Sequence, residues 1–155
     1  MKHTFNYYIF IDYSENLIGY IIIENKALKN LLPKIVKLNH YATVKHKNKY
    51  IIAIKKRFEK EKLENYLFKH KIIELRQSIE LFIEIIEFIR KHKDSALFIS
   101  IDDTYYNYFI SLLELIEENF HLLIIKESKL KKFSLEYRLS LIIDTMLNIE
   151  RKKSN

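Results

Sequence analysis

The sequence predicts an α/β protein in which one mixed sheet is flanked by helices, and three observations carry that prediction. Residues 6–11 and 17–23 are two runs rich in β-forming residues with a turn between them, the pattern of a hairpin. A short apolar run, Ala96 to Ile101, passes directly into Asp102 and Asp103, as a strand covered on both faces does where it meets a following helix. From Ser78 onward, helical and strand patterns alternate as helix, strand, helix, strand, helix.

In chain order, Asn6 to Ile11 forms the first strand and ends in Asp12. Ser14-Glu15-Asn16 makes the turn, and Leu17 to Ile23 returns as the second strand. Gly19 lies inside that strand, where a bare backbone lets a neighbour or ligand come close. Lys26 to Leu32 reads as a short helix stopped near Pro33. His40 to Val44 and Tyr50 to Ile54 read as two strands joined by the basic turn 45–49. Phe58 to Phe68 reads as helix, and Lys71 to Leu75 as a short strand. Ser78 is placed to cap a helix over Ile79 to His92, with apolar residues at 79, 82, 83, 86 and 89 and with Glu80, Glu84 and Glu87 on one narrow face. A helix follows from Thr104 to Glu118, then a buried strand His121 to Ile125 and a basic loop 126–132. Ser134 caps a last helix reaching Glu150, with its apolar stripe at 135, 139, 142, 143, 146 and 147. No repeat, linker or boundary divides residues 1–155, which are expected to form one domain with an insertion or rearranged segment around 26–70.

Composition narrows the function classes. Of the 155 residues, 48% are hydrophobic and 30% charged, an ordinary globular balance. No apolar run approaches the roughly 18 residues of a membrane span, and no signal peptide is visible, so a cytoplasmic protein is expected. The chain has no Cys, which removes disulfides, thiolate metal sites and a Cys nucleophile. A single Gly removes glycine-rich phosphate loops. The net charge of +7 favours a polyanionic partner such as nucleic acid. The six His show no metal-ligand spacing and read as surface or partly buried groups.

Four carboxylates stand at chemically telling positions. Asp12 ends the first strand, Glu80 opens a helix, Asp102 ends a central strand, and Asp144 lies in the last helix. If the strands ending in Asp12 and Asp102 are neighbours, the two carboxylates repel unless a cation lies between them. Hard divalent ions take such oxygen ligands, and a pair of them activates water and stabilises a leaving oxygen in phosphodiester hydrolysis. The plainer alternatives are a helix cap at Asp103 or Thr104, which leaves Asp102 unexplained, a solvated face for Glu80, a surface position for Asp144, and a turn-closing role for Asp12.

Several of these stretches together resemble the ribonuclease H family. Ile99-Ser100-Ile101-Asp102-Asp103-Thr104-Tyr105 resembles its fourth-strand motif, and Ser78-Ile79-Glu80-Leu81 the motif opening its first major helix. Tyr8 to Ser14 is similar to its first strand, Gly19 to Ile22 to its second, and Ile142 to Leu147 to its last helix motif. The resemblance implies a five-stranded mixed sheet with helices on both faces. It also implies metal-dependent hydrolysis of nucleic acid, most often the RNA strand of an RNA–DNA hybrid, or of structured RNA. On that likeness Asp12 bridges two Mg²⁺ or Mn²⁺ ions, Glu80 and Asp102 hold one, and Asp144 holds the other. Asp144 lies about three turns into its helix, so Glu136 in the first turn is its rival. Lys126, Lys129, Lys131 and Lys132 are the expected phosphate contacts, with Tyr105 as a stacking candidate. The alternative function is an inactive nucleic-acid-binding or protein-interaction module on the same fold.

Overall fold

The computed structural model describes residues 5–116, 123–132 and 134–153. Strand β1 (Tyr7–Ser14) pairs antiparallel with β2 (Leu17–Glu24), and the two-residue loop between them holds Glu15 at a positive φ of 55°. β3 (Lys69–Glu74) pairs antiparallel with the far side of β2. On the other side of β1, β4 (Ser95–Ser100) and β5 (Leu123–Lys126) follow in parallel. The sheet therefore has five strands in the order β3-β2-β1-β4-β5. The strand expected from His121 begins at Leu123; His121 and Leu122, like the expected end of the preceding helix at 117–119, lie outside the described residues.

Alternation along the strands builds two cores. Ile9 and Ile11 point to the face covered by α3 (Ser78–Lys91) and α4 (Asp103–Ile116), where Phe82 and Phe109 meet edge to face at 5.1 Å. Tyr8 and Phe10 point to the opposite face, beneath α5 (Leu135–Lys153). Ser134 caps α5 as its position predicts, its hydroxyl accepting the Tyr137 N–H at 3.2 Å. Gln77, not Ser78, occupies the cap position of α3; Ser78 is its buried first residue.

Two sequence expectations are corrected. The strands expected at 40–44 and 50–54 are absent: Tyr41–Thr43 is a 3-10 turn, and Lys47–Glu61 is a helix, α2, which follows the short α1 (Leu28–Leu31). Ile51, Ile54 and Phe58 recur with helical spacing and are buried, Ile54 and Phe58 in the core on the α5 side, a long-range contact that outweighs the local strand pattern. On α3, Phe82, Ile86 and Ile89 are buried as expected, but Leu81, Ile85 and Phe88 are inside with them while Ile79 and Ile83 are exposed. The helix is held in that rotation by Glu84, which accepts the buried Tyr20 hydroxyl at 2.5 Å. The segment between β2 and β3 thus forms a further helical layer over α5. Between the sheet and that layer, every residue from Leu139 to Asn148 is buried. Among the described residues, no helix is long and apolar enough to cross a membrane.

Candidate functional site

The parallel strands β1 and β4 finish at one end of the sheet, where Asp12 is the register partner of Ser100. Asp12 shares the strand face of Tyr8 and Phe10, so its side chain lies on the α5 side, 6% exposed. Its Oδ1 accepts the Tyr13 N–H at 2.7 Å.

Contacts of successive α5 turns show what stands opposite. Ile143 lies against Gly19, the partner of Asp12 in β2, so closely that a Cβ there would come within 3.1 Å of its Cδ1. One turn on, Asn148 meets the Ser14 hydroxyl at 3.4 Å, and Arg151 reaches Glu15 at 3.2 Å. Asp144, one turn before Asn148 on α5, is also 6% exposed. Glu136 acts electrostatically on Tyr8. Tyr8 stands four residues before Asp12 on β1.

The layer between β2 and β3 closes over this place. The Tyr41 N–H donates to Asp144 Oδ2 at 2.9 Å. His40 Nδ1 accepts the Ala42 N–H at 3.3 Å, which puts the imidazole proton on Nε2, and Nε2 faces Asp144 Oδ1 at 3.7 Å. Tyr50 of α2 pins this segment, its hydroxyl accepting the Asn39 N–H and donating to the Asn39 carbonyl. Arg151 completes the rim: it donates to Asn148 at 2.8 Å and stands over the Tyr41 ring at 5.5 Å.

The other two carboxylates are held differently. Asp102 is two residues beyond the strand partner of Asp12, exposed, and its Oδ1 accepts the Tyr105 N–H at 3.0 Å; it is the cap of α4. Its neighbour Asp103 pairs with Lys126 at 3.1 Å, and Lys126 in turn lies 4.5 Å from the Tyr106 ring centre. Glu80 begins α3 on the opposite face of the sheet from Asp12, is 60% exposed, and meets Lys71 of β3 at 3.4 Å. Tyr105 is half-buried against the α3–α4 core, whereas Lys129, Lys131 and Lys132 are exposed. Among the described residues, no three His, Asp or Glu side chains are grouped to hold a metal. The carboxylate pair is of the donor type that hard cations take, and Mg²⁺ is commonly held by one or two carboxylates with water completing its shell. Asp12 and Asp144 are thus of the donor type that would suit such an ion.

The topology is that of one known architecture. A chain of the solved PCNA:RNase HII complex from Archaeoglobus fulgidus is similar over 96% of this chain and 72% of that chain, with a TM-score of 0.50. The fold is ribonuclease H-like. At 13% sequence identity the likeness is one of fold alone. No family model and no curated protein matches the sequence. Sequence reasoning missed His40, Tyr41 and Asn148, which lie around Asp144. No periodicity or spacing marks the first two, and Asn148 is visible only as a polar residue one turn after Asp144.

Proposed function

We propose that the protein is a divalent-metal-dependent nuclease acting on the RNA strand of a hybrid or on structured RNA, with Asp12 and Asp144 as its acidic pair. What supports this reading is the burial of two carboxylates, Asp12 at the carboxyl end of β1 and Asp144 on α5, which packs on that strand, in a ribonuclease H-like sheet. Such a pair is costly unless a cation or proton lies between its members. Asp12 and Asp144 would hold one Mg²⁺ or Mn²⁺. When bound, the ion would neutralise phosphate charge and activate the attacking water. Tyr41 and His40 fix the Asp144 carboxylate, and the Ser14–Asn148 contact sets β1 against α5. The net charge of +7 supports attraction of a polyanionic substrate.

A second reading, a nucleic-acid-binding module without hydrolysis, is favoured by the ion pair of Glu80 with Lys71 and by the capping role of Asp102. One experiment separates the two. Hybrid, single-stranded and branched substrates are incubated with wild type and variants in Mg²⁺ and in Mn²⁺. Asp12→Asn and Asp144→Asn are expected to abolish cleavage, while Glu136→Gln and Glu80→Gln retain it. Either metal should raise the melting temperature of wild type and not that of Asp12→Asn. Salt-sensitive binding without cleavage by wild type would establish the binding module and refute the nuclease.

A further inference from the structure

We propose that the cleft between the 35–43 segment and the first turns of α5 is a nucleotide-binding pocket that opens beside the acidic pair. Its volume is about 260 Å³, at the small end for ligand clefts and of the scale of one nucleotide. Leu38 and Leu141 supply an apolar floor, and the Tyr137 ring stands beside them. Three basic side chains, His40, Lys132 and Arg138, line the same cleft, and no carboxylate does. That separates it from the groove bounded by α2, β3 and α5, where Glu59, Glu64 and Glu150 offset Lys55, His70 and Lys153. An apolar and aromatic wall with cationic groups at its edge suits a base or sugar on one side and a phosphate on the other.

The pocket is joined to the candidate site through His40. That imidazole lines the cleft, and its Nε2 faces Asp144 at 3.7 Å. Leu141 lies one helical turn before Asp144 on α5. The arginine is set in place from behind, its Nη2 donating to the Leu32 carbonyl at 3.4 Å. A nucleotide seated here lies next to the carboxylate pair. Naming a nucleotide as the ligand rests on the nucleic-acid reading above, but occupancy of the cleft does not require that any bond be cut.

The test is titration calorimetry of the whole chain with adenosine 5′-monophosphate, inorganic phosphate and adenosine. The monophosphate is expected to bind more tightly than either half. Lys132→Gln and Arg138→Gln should each weaken it about tenfold, the effect of one charge-assisted hydrogen bond. Lys29→Gln, whose side chain does not line the cleft, should leave it unchanged. Lys132 is exposed, so its substitution tests the pocket even if Arg138→Gln disturbs folding. A 5′-phosphorylated tetranucleotide that competes with the monophosphate marks the pocket as a seat for the end of a strand; a monophosphate that it cannot displace marks a site for free nucleotide. The monophosphate is expected to bind whether or not wild type cleaves nucleic acid, so failure of the nuclease reading and failure of the pocket are read separately. No saturable binding of the monophosphate, or binding that survives both Lys132→Gln and Arg138→Gln, would overturn the pocket.

Discussion

Replacing Glu84 with glutamine should cost stability at neutral pH and cost progressively less as the solution is acidified. The carboxylate accepts the hydroxyl of Tyr20, a side chain only 1% exposed, and is flanked by Lys71 Nζ at 2.9 Å and Lys69 Nζ at 3.1 Å. Burial alone would raise its pKa, but the Tyr20 hydroxyl and the two ammonium groups outweigh that and hold it at about 2, from an ordinary 4.5. At ~1.36 kcal/mol per pH unit the gap corresponds to at most about 3 kcal/mol. Lys69 and Lys71 are 44% and 33% exposed, so solvent screening lowers the realised figure to about 1–2 kcal/mol. The folded-state pKa is depressed, so this stabilisation is complete above pH 4.5 and is lost as pH falls toward 2. Urea unfolding at pH 7, 5, 4 and 3 should show Glu84→Gln less stable than wild type by that amount at pH 7, with the difference shrinking at pH 4 and below. Tyr20→Phe should cost about 1 kcal/mol, and the double variant less than the sum, because the two substitutions remove one shared hydrogen bond. A deficit equal at pH 3 and pH 7, or none at pH 7, would refute the reasoning.

Two smaller perturbations probe the frame of the site. In Gly19→Ala the new Cβ would stand 2.9 Å from Ile72 Cγ1 and 3.1 Å from both Ile143 Cδ1 and the Lys71 carbonyl oxygen. Ile72 can rotate but the carbonyl cannot, so a loss of about 1–3 kcal/mol in urea unfolding is expected, and a stabilised variant would contradict the packing. Asp102→Ala removes the side-chain acceptor for the Tyr105 N–H and should cost about 1 kcal/mol in thermal unfolding, whereas Asp102→Asn, itself a good cap, should stay within about 0.5 kcal/mol; equal losses would mean that the charge, not the cap, matters.

What the sequence shows plainly is what local pattern determines. The apolar runs ending at Asp12 and Asp102 do become neighbouring parallel strands, and the stripe from Leu139 to Leu147 does face the sheet. Tyr50 to Ile54 misleads because a five-residue apolar run suits a strand or a buried helix equally, and only the docking of Ile54 and Phe58 on the α5 side settles it. The acidic pair at 102–103 misleads in another way. Sequence can count the caps that a helix needs but cannot say which carboxylate turns inward to make one; Asp102 does so, and Asp103 is left for Lys126. For Glu80 the deciding partner, Lys71, comes from a strand whose register no spacing reveals.

The same limit explains Asp144, and it bears on how the site works. An aspartate off the apolar stripe of an amphipathic helix reads as a surface residue, and on a helix with one covered face it would be one. Here α5 is covered twice, by the sheet and by the layer between β2 and β3, so Asp144 is nearly buried. A buried carboxylate needs donors, and that layer supplies them: the Tyr41 N–H, with the His40 imidazole facing its other oxygen. The segment that looks like an interruption of the sheet is therefore what turns Asp144 from a solvated group into a buried one held by Tyr41 and His40. Its Tyr50 anchor to Asn39 keeps those donors in register with α5. Any chemistry at the acidic pair depends on residues 39–50 as directly as on the two strands that end beside it.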